Sequence, residues 1–253
     1  TIILKEALQR LEQSQEELSE ALDKERQLNE IKSRFVSMAS HEFRTPLSTM
    51  LSSANLLTKY TQTEEQDKRQ KHIDKITGSI HHLNLLLEDF LSLGKLDEGK
   101  LSIHKQPIVL EEIIQDSISE LEGQLKDDQH ITFKHNGPTS MECDKGLLKN
   151  ILFNLLSNAI KFSDKGKEIK ISARLEENTV SVAVEDQGIG ISEEDQEHLF
   201  SSFFRAKNAF NIQGTGLGLH IVKRYLEMLG GNIELKSTLG KGTTIIFYLP
   251  IKS

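Results

Sequence analysis

Leu4, Leu8, Leu11, Leu18 and Leu22 fall on a seven-residue repeat, broken once by Gln15, within thirty residues that hold no glycine or proline. A second run, Leu28, Ile31, Phe35 and Met38, keeps the same spacing one residue out of step. An apolar residue every three and four positions makes a narrow stripe that two helices bury against each other. A slip in that repeat changes the local winding of the pair. The pattern predicts a parallel dimeric coiled coil over 1–30 with a phase slip near 25–28. A lone amphipathic helix on a core is the alternative, and the narrowness of the stripe favours the coiled coil.

The helical pattern continues through 31–60 and ends in the polar stretch 61–66. A second helix follows, with Ile73, Ile76, Ile80, Leu83, Leu87 and Phe90 at spacings of three and four. Two helices with a short connection make an antiparallel hairpin. One hairpin cannot bury both apolar faces, so two hairpins from a homodimer are expected to form a four-helix bundle over 31–98. Gly94 and Gly99 mark a hinge at 94–99. From 101 to 253 the pattern changes: β-rich stretches at 101–104, 131–134, 168–175, 179–185, 232–237 and 243–249, helical ones at 110–128, 144–162 and 216–229. This predicts an α+β domain, one mixed sheet with helices on one face.

Composition narrows the function classes. A net charge of -7 gives no basic stripe for nucleic acid. One cysteine, Cys143, excludes an internal disulfide and reads as a buried structural thiol. No apolar run is long enough to span a membrane, so no membrane contact is expected of this segment, and the reading is cytoplasmic. The chain opens on Thr1 in a helical pattern, which suggests a piece of a longer protein and leaves a membrane anchor upstream open.

Of nine histidines, His41 stands out. Phe43, Leu47, Met50, Ala54 and Leu57 form one helical face, and His41 lies roughly 160–240° from them at about 100° per residue. Its own face carries Thr45, Ser48 and Ser52. Glu42 can reach a ring nitrogen, and Pro46 loosens the helix beyond. A carboxylate on one nitrogen of a neutral imidazole leaves the other free to attack. A solvated surface histidine is the other reading of the same spacing.

Three further segments carry ligand chemistry. Asn154, Asn158 and Lys161 share one stripe of a helix that is otherwise apolar. Amides there need polar partners: hydrated Mg²⁺ with phosphates, or one another within the core. Asp186–Gln187–Gly188–Ile189–Gly190–Ile191 ends a strand, where Asp186 could accept an adenine amino hydrogen or simply close a turn. Gly214–Thr215–Gly216–Leu217–Gly218–Leu219 opens a helix whose N–H groups suit phosphate.

The segment from Phe35 to Ser48, centred on His41–Glu42–Phe43–Arg44–Thr45–Pro46, resembles the phospho-acceptor box of sensor histidine kinases. Asn154 to Phe162 is similar to the asparagine box of those kinases. Together with the Asp186 turn, Phe203–Phe204–Arg205, the Gly214 segment and Gly242–Thr243–Thr244, it follows the order of the ATP-binding domain they share with gyrase, mismatch-repair and heat-shock-chaperone ATPases. The resemblance implies ATP and Mg²⁺ as cofactors and a kinase that phosphorylates itself. It implies His41 as phospho-acceptor, Glu42 as the base or orienter, and Thr45 as the residue positioning water for phosphatase action. Asn158 and Asn154 would hold Mg²⁺, with Lys161 on phosphate and Phe162 beside the nucleotide. Asp186 would take adenine, with Gly188, Gly190 and Ile191 shaping the pocket and Thr243 near the base. Gly214, Thr215, Gly216, Leu217, Gly218 and Leu219 would handle phosphates, and Arg205 would offset γ-phosphate charge. Residues 206–213 would form a lid in which Asn208 and Asn211 have no evident role. The partner it implies is a response-regulator receiver domain, docking on Ser48, Thr49, Ser52, Ser53 and Leu56. A dimeric scaffold that binds nucleotide without kinase activity is the alternative, as is a resting phosphatase. A gyrase-like DNA enzyme fails on charge and on the His41 segment.

Overall fold

The computed structural model describes residues 2–97, 101–137, 140–176, 178–210, 212 and 214–251, and leaves undescribed the side chains of much of 2–38. The chain divides into two compact units, 1–83 and 84–253.

The first unit is helical. Helix α1 spans Ile2–Leu57 and α2 spans Gln66–Asp97, with a 3-10 turn at Thr63–Glu65 between them. The turn is pinned by Arg69, whose Nη1 donates to Tyr60 O at 3.0 Å. Pro46 is buried and α1 runs through it without a break. Leu18 and Leu22 are 63% and 45% exposed in the single chain. Leu4, Leu8, Leu11, Leu28, Ile31, Phe35 and Met38 lie outside the described side chains. The apolar face expected to be covered is left open: Leu47 is 53% and Leu51 66% exposed, and Ile73 and Ile80 on α2 are 43% and 46% exposed. Among the described residues up to 83, those buried are Glu42, Pro46 and Ser53, while Leu86 and Leu96 further along α2 are 2% and 5% exposed. One hairpin has two apolar sides to cover and only one neighbour.

The second unit takes in the end of α2. The hinge expected at 94–99 begins inside a helix: α2 continues through Gly94 to Asp97, because Leu96 is 5% exposed within the core of this unit and fastens that turn. Residues 98–100 lie outside the described set. The stretch 101–104 is irregular, not a strand, since the His104 N–H goes to Asp144 Oδ2 at 2.8 Å in place of a ladder partner. The strand lies just beyond, as β1 (Gln106–Val109), paired antiparallel with β3 (Ser140–Cys143) in a separate two-stranded ribbon. Pro107 suits such a ribbon, where one side of each strand needs no partner.

The main sheet has the order β2-β4-β5-β7-β6, formed by His130–Asn136, Glu168–Glu176, Thr179–Asp186, Gly242–Pro250 and Asn232–Thr238. Only β2 and β4 run parallel. Alternation sets its buried face: Val180, Val182 and Val184 on β5, and Ile245, Phe247 and Leu249 on β7, are all 8% exposed or less. Helices α3 (Leu110–Leu121), α4 (Lys145–Phe162) and α6 (Gly218–Met228) complete this core. α3 stops short of the expected 128, giving way to a 3-10 turn at Glu122–Gln124 that contains Gly123. A one-turn helix α5 (Glu193–Gln196), capped by Ser192, has no apolar period and escaped the sequence reading. α4 starts at Asp144, whose Oδ1 accepts from Leu147 N at 3.0 Å, the N-cap bond that satisfies an orphan donor. Cys143 is buried, and burial lifts its thiol to about 11.

Candidate nucleotide and phospho-acceptor sites

His41 stands clear of the helix surface, its side chain 76% exposed, while Glu42 next to it is only 7% exposed. Glu42 Oε1 lies 3.7 Å from His41 Nδ1, within ion-pair range and longer than a hydrogen bond. Thr45 Oγ1 donates to His41 O at 3.3 Å, which holds that hydroxyl one turn beyond the ring. A groove of about 590 Å³ opens beside His41 between the helices of the first unit. Arg44, Thr45 and Ser48 line it, and so do Thr49, Ser52, Ser53 and Leu56. The five residues expected to dock a partner therefore share one concave surface with His41. His72 and Lys75 complete it from α2, a contribution that no local pattern in the sequence signalled.

In the second unit, Asp186 ends β5 directly opposite Thr243 on β7. Its Oδ1 accepts from Gly188 N at 2.8 Å and Thr243 N at 3.3 Å. Burial pushes the Asp186 carboxyl above its ordinary pKa, and those two N–H groups oppose the shift. Gly190 has φ +63°, and a Cβ there would stand 2.0 Å from Thr238 O. Only glycine fits that turn. Ile191 N is held by Ser237 Oγ at 2.9 Å, and Phe162 O accepts from Ile189 N at 3.3 Å. The end of α4 and the glycine turn are thereby joined.

Asn154 and Asn158 are half-buried on one stripe of α4. Asn154 Nδ2 donates to Asn150 O at 3.0 Å, and its Oδ1 lies 2.6 Å from where a Cβ on Gly218 would stand. Lys161 Nζ lies 2.6 Å from the same point on Gly214, with its ammonium 4.7 Å over the Phe162 ring. The fold thus brings the amide oxygen and the ammonium to the Gly214–Gly218 segment, although 64 and 53 residues separate Asn154 from Gly218 and Lys161 from Gly214 in sequence. An amide oxygen beside an ammonium and a loop of small residues is a donor set that suits phosphates and a hydrated Mg²⁺. Among the described residues no cluster of three His, Cys, Asp or Glu could hold a metal.

Gly216 has φ +70°, and Leu217 is fully buried under the loop. Thr215 Oγ1 accepts from Leu217 N at 3.2 Å and donates to Asp89 Oδ2 at 3.1 Å. Leu219 packs partly buried against the core. Arg205 is engaged by the segment that follows it. Its Nη2 donates to Ala209 O, Phe210 O and Ile212 O at 3.1, 2.9 and 2.6 Å, so it staples the segment after it. Phe203 sits at φ +63° just before, where Phe203 N meets Gly216 O at 3.1 Å. Asn208 acquires a role: its Nδ2 donates to Gly190 O at 2.8 Å. Asn211 lies outside the described residues.

Comparison with known proteins identifies the two domains by family. Residues 31–99 match the family described as His Kinase A (phospho-acceptor) domain, and 143–253 match Histidine kinase-, DNA gyrase B-, and HSP90-like ATPase. The chain is 35% identical over 239 residues to hybrid signal transduction histidine kinase B of Dictyostelium discoideum, covering 91% of this chain and 12% of that one. It is 31% identical to the circadian input-output histidine kinase CikA of Synechococcus elongatus, covering 95% and 32%. The chain therefore spans less than a third of either relative. Among solved structures, the catalytic domain of histidine kinase ThkA matches at 30% identity and TM-score 0.53, covering 58% of this chain and 98% of that one. Histidine kinase ThkA in complex with response regulator protein TrrA matches at 25% identity and TM-score 0.66, covering 90% and 64%. With a phospho-acceptor domain followed by an ATP-binding domain of this type, the chain belongs to the histidine kinases.

Proposed function

We propose that this chain transfers the γ-phosphoryl group of ATP to its own His41 and then passes it to an aspartate on a response-regulator receiver domain. The observation that carries the reading is His41 itself, an exposed imidazole with a buried carboxylate 3.7 Å from Nδ1. Glu42 favours the tautomer with its proton on Nδ1, which leaves the Nε2 lone pair to attack. The Nε2–P bond forms as the bond from the γ-phosphorus to the β–γ bridging oxygen breaks, and ADP departs. Asp186 and Thr243 orient the base, and the Gly214–Leu219 segment holds the phosphates. Lys161 offsets charge on them. Arg205 joins in once it exchanges a carbonyl of the lid for the γ-phosphate. Asn158 and Asn154 would hold Mg²⁺, which when bound supplies charge neutralisation across the phosphates.

The domain division that accompanies this reading is a coiled-coil linker over 1–30, a dimerisation and phosphotransfer hairpin over 31–98, and a catalytic domain over 101–253. The exposed Leu47, Leu51, Ile73 and Ile80 suit a homodimer whose second hairpin covers them. The groove beside His41 suits the receiver domain, in keeping with the relative solved with its response regulator. Thr45, one turn beyond His41, would place the water that hydrolyses the phosphoryl-aspartate of the regulator, freeing the carboxylate and releasing inorganic phosphate. No described helix is long and apolar enough to cross a membrane, which accords with a cytoplasmic segment.

The test is incubation with γ-labelled ATP and Mg²⁺, wild type beside His41→Gln. Acid-labile, alkali-stable label present only in the wild type is the expected result. Nucleotide binding without label would move the scaffold reading ahead, and label surviving in His41→Gln would mean a different acceptor.

A further inference from the structure

Three side chains stand on one rung across three strands. Ser237 on β6 faces Thr243 on β7, and Thr243 faces Asp186 on β5. Directly opposed residues of antiparallel strands project to the same side, so the three form a row that ends at the base-binding carboxylate. Ser237 Oγ has three neighbours: Ile191 N at 2.9 Å, Gly242 O at 3.0 Å and Thr243 Oγ1 at 2.9 Å. A hydroxyl carries one hydrogen and two lone pairs. The amide can only donate and the carbonyl can only accept. The Ser237 hydrogen therefore goes to Gly242 O, and the contact with Thr243 must use the Thr243 hydrogen.

We propose that Ser237 is a positioning residue for nucleotide selectivity: by taking up the hydroxyl hydrogen of Thr243 it leaves Thr243 presenting only lone pairs beside Asp186, so that the row accepts from a 6-aminopurine and rejects a 6-oxopurine. The inference rests on the reading of Asp186 and Thr243 as the base site. Asp186 spends Oδ1 on the Gly188 and Thr243 amides, which directs Oδ2 to the ligand. A 6-amino group offers two hydrogens, one for each acceptor. A 6-oxo group brings a lone pair against both, and a site built for a donor discriminates strongly against an analogue lacking it. Without Ser237, the Thr243 hydroxyl turns and can donate to a 6-oxo group. Asp186 alone cannot supply this dependence on a residue one strand further away.

Mg·ADP and Mg·IDP differ only at the purine 6-position and its N1 proton, and are the probes. Their dissociation constants are measured by calorimetry on wild type, Ser237→Ala and Ser237→Thr. Wild type is expected to prefer ADP. Ser237→Ala should lower the ADP:IDP preference by about tenfold, one hydrogen bond's worth, and Ser237→Thr should restore it. A change that only loosens the turn would weaken both nucleotides by the same factor, and an unchanged ratio overturns the proposal. Equal binding of both by wild type overturns it as well. If wild type binds neither nucleotide, the base-site reading itself falls. Should Ser237→Ala fail to fold, Ser237→Cys keeps the volume with a weak acceptor and must move the ratio the same way.

Discussion

Asp89 Oδ2 accepts a hydrogen bond from Thr215 Oγ1 at 3.1 Å, tying the last turns of α2 to the glycine segment 126 residues later. Burial raises the Asp89 carboxyl from 3.8 to about 6, with Glu88 adding to the rise and Thr215 and Lys161 opposing it. A raised carboxyl binds its proton more tightly folded than unfolded. The stability this gives is fully present below pH 3.8 and is lost as pH rises through about 6. At 1.36 kcal/mol per pH unit the swing is about 3 kcal/mol at most. Asp89→Asn keeps the acceptor for Thr215 without the ionisation. It should be more stable than wild type by about 2 kcal/mol at pH 7.5, with the gap closing toward pH 4. Thermal unfolding across that range is the check, and a gap independent of pH would remove the Asp89 proton from the account.

Gly190→Ala should be severe. Its φ of +63° is poorly tolerated by alanine, and the new methyl would stand 2.0 Å from the Thr238 carbonyl oxygen. Strain and overpacking each cost about 1–3 kcal/mol, so urea unfolding should show a loss of more than about 2 kcal/mol. Gly166→Ala, at φ +69° with nothing within 4 Å, carries the conformational penalty alone and should lose clearly less.

Lys126 closes the C-terminal end of α4. Its Nζ donates to Lys161 O at 2.9 Å and also to Ser163 O, where an ammonium meets the negative end of the helix. Lys126→Met keeps the length and removes the donors. A stability loss of about 1–2 kcal/mol is expected, together with weaker Mg·ADP binding, since Lys161 and Phe162 sit on that last turn. Calorimetry that finds wild-type affinity in a destabilised variant would confine Lys126 to the fold.

Leu51 is 66% exposed on α1. If a second copy covers it, Leu51→Glu should bring a charge into that interface and shift sedimentation from dimer to monomer at micromolar concentration. ADP binding should stay at the wild-type value, because the residues proposed to hold the nucleotide all lie beyond 150. A variant still sedimenting as a dimer would place the interface elsewhere.

Long-period patterns were the legible part of this chain. The helices α1 and α2, the α4 stripe of Asn154, Asn158 and Lys161, and five of the seven strands follow from spacing, because one face of each must be apolar to be buried. Two departures from local expectation trace to long-range contacts. His104 gave its N–H to Asp144 and left 101–104 outside any strand, and Leu96 carried α2 through Gly94 into the core of the second unit.

The sequence alone determined which residues are the candidates for chemistry. His41 with Glu42, the paired asparagines and the two glycine segments can be read in order along the chain, since helix and turn geometry act over a few residues. Tertiary structure decided what those residues face. Nothing local tells that Thr215 meets Asp89, that Arg205 donates to the carbonyls of Ala209, Phe210 and Ile212, or that Ser237 takes the hydrogen of Thr243. Such contacts depend on strand register and helix docking, and these follow from burying one shared core rather than from any short stretch of chain.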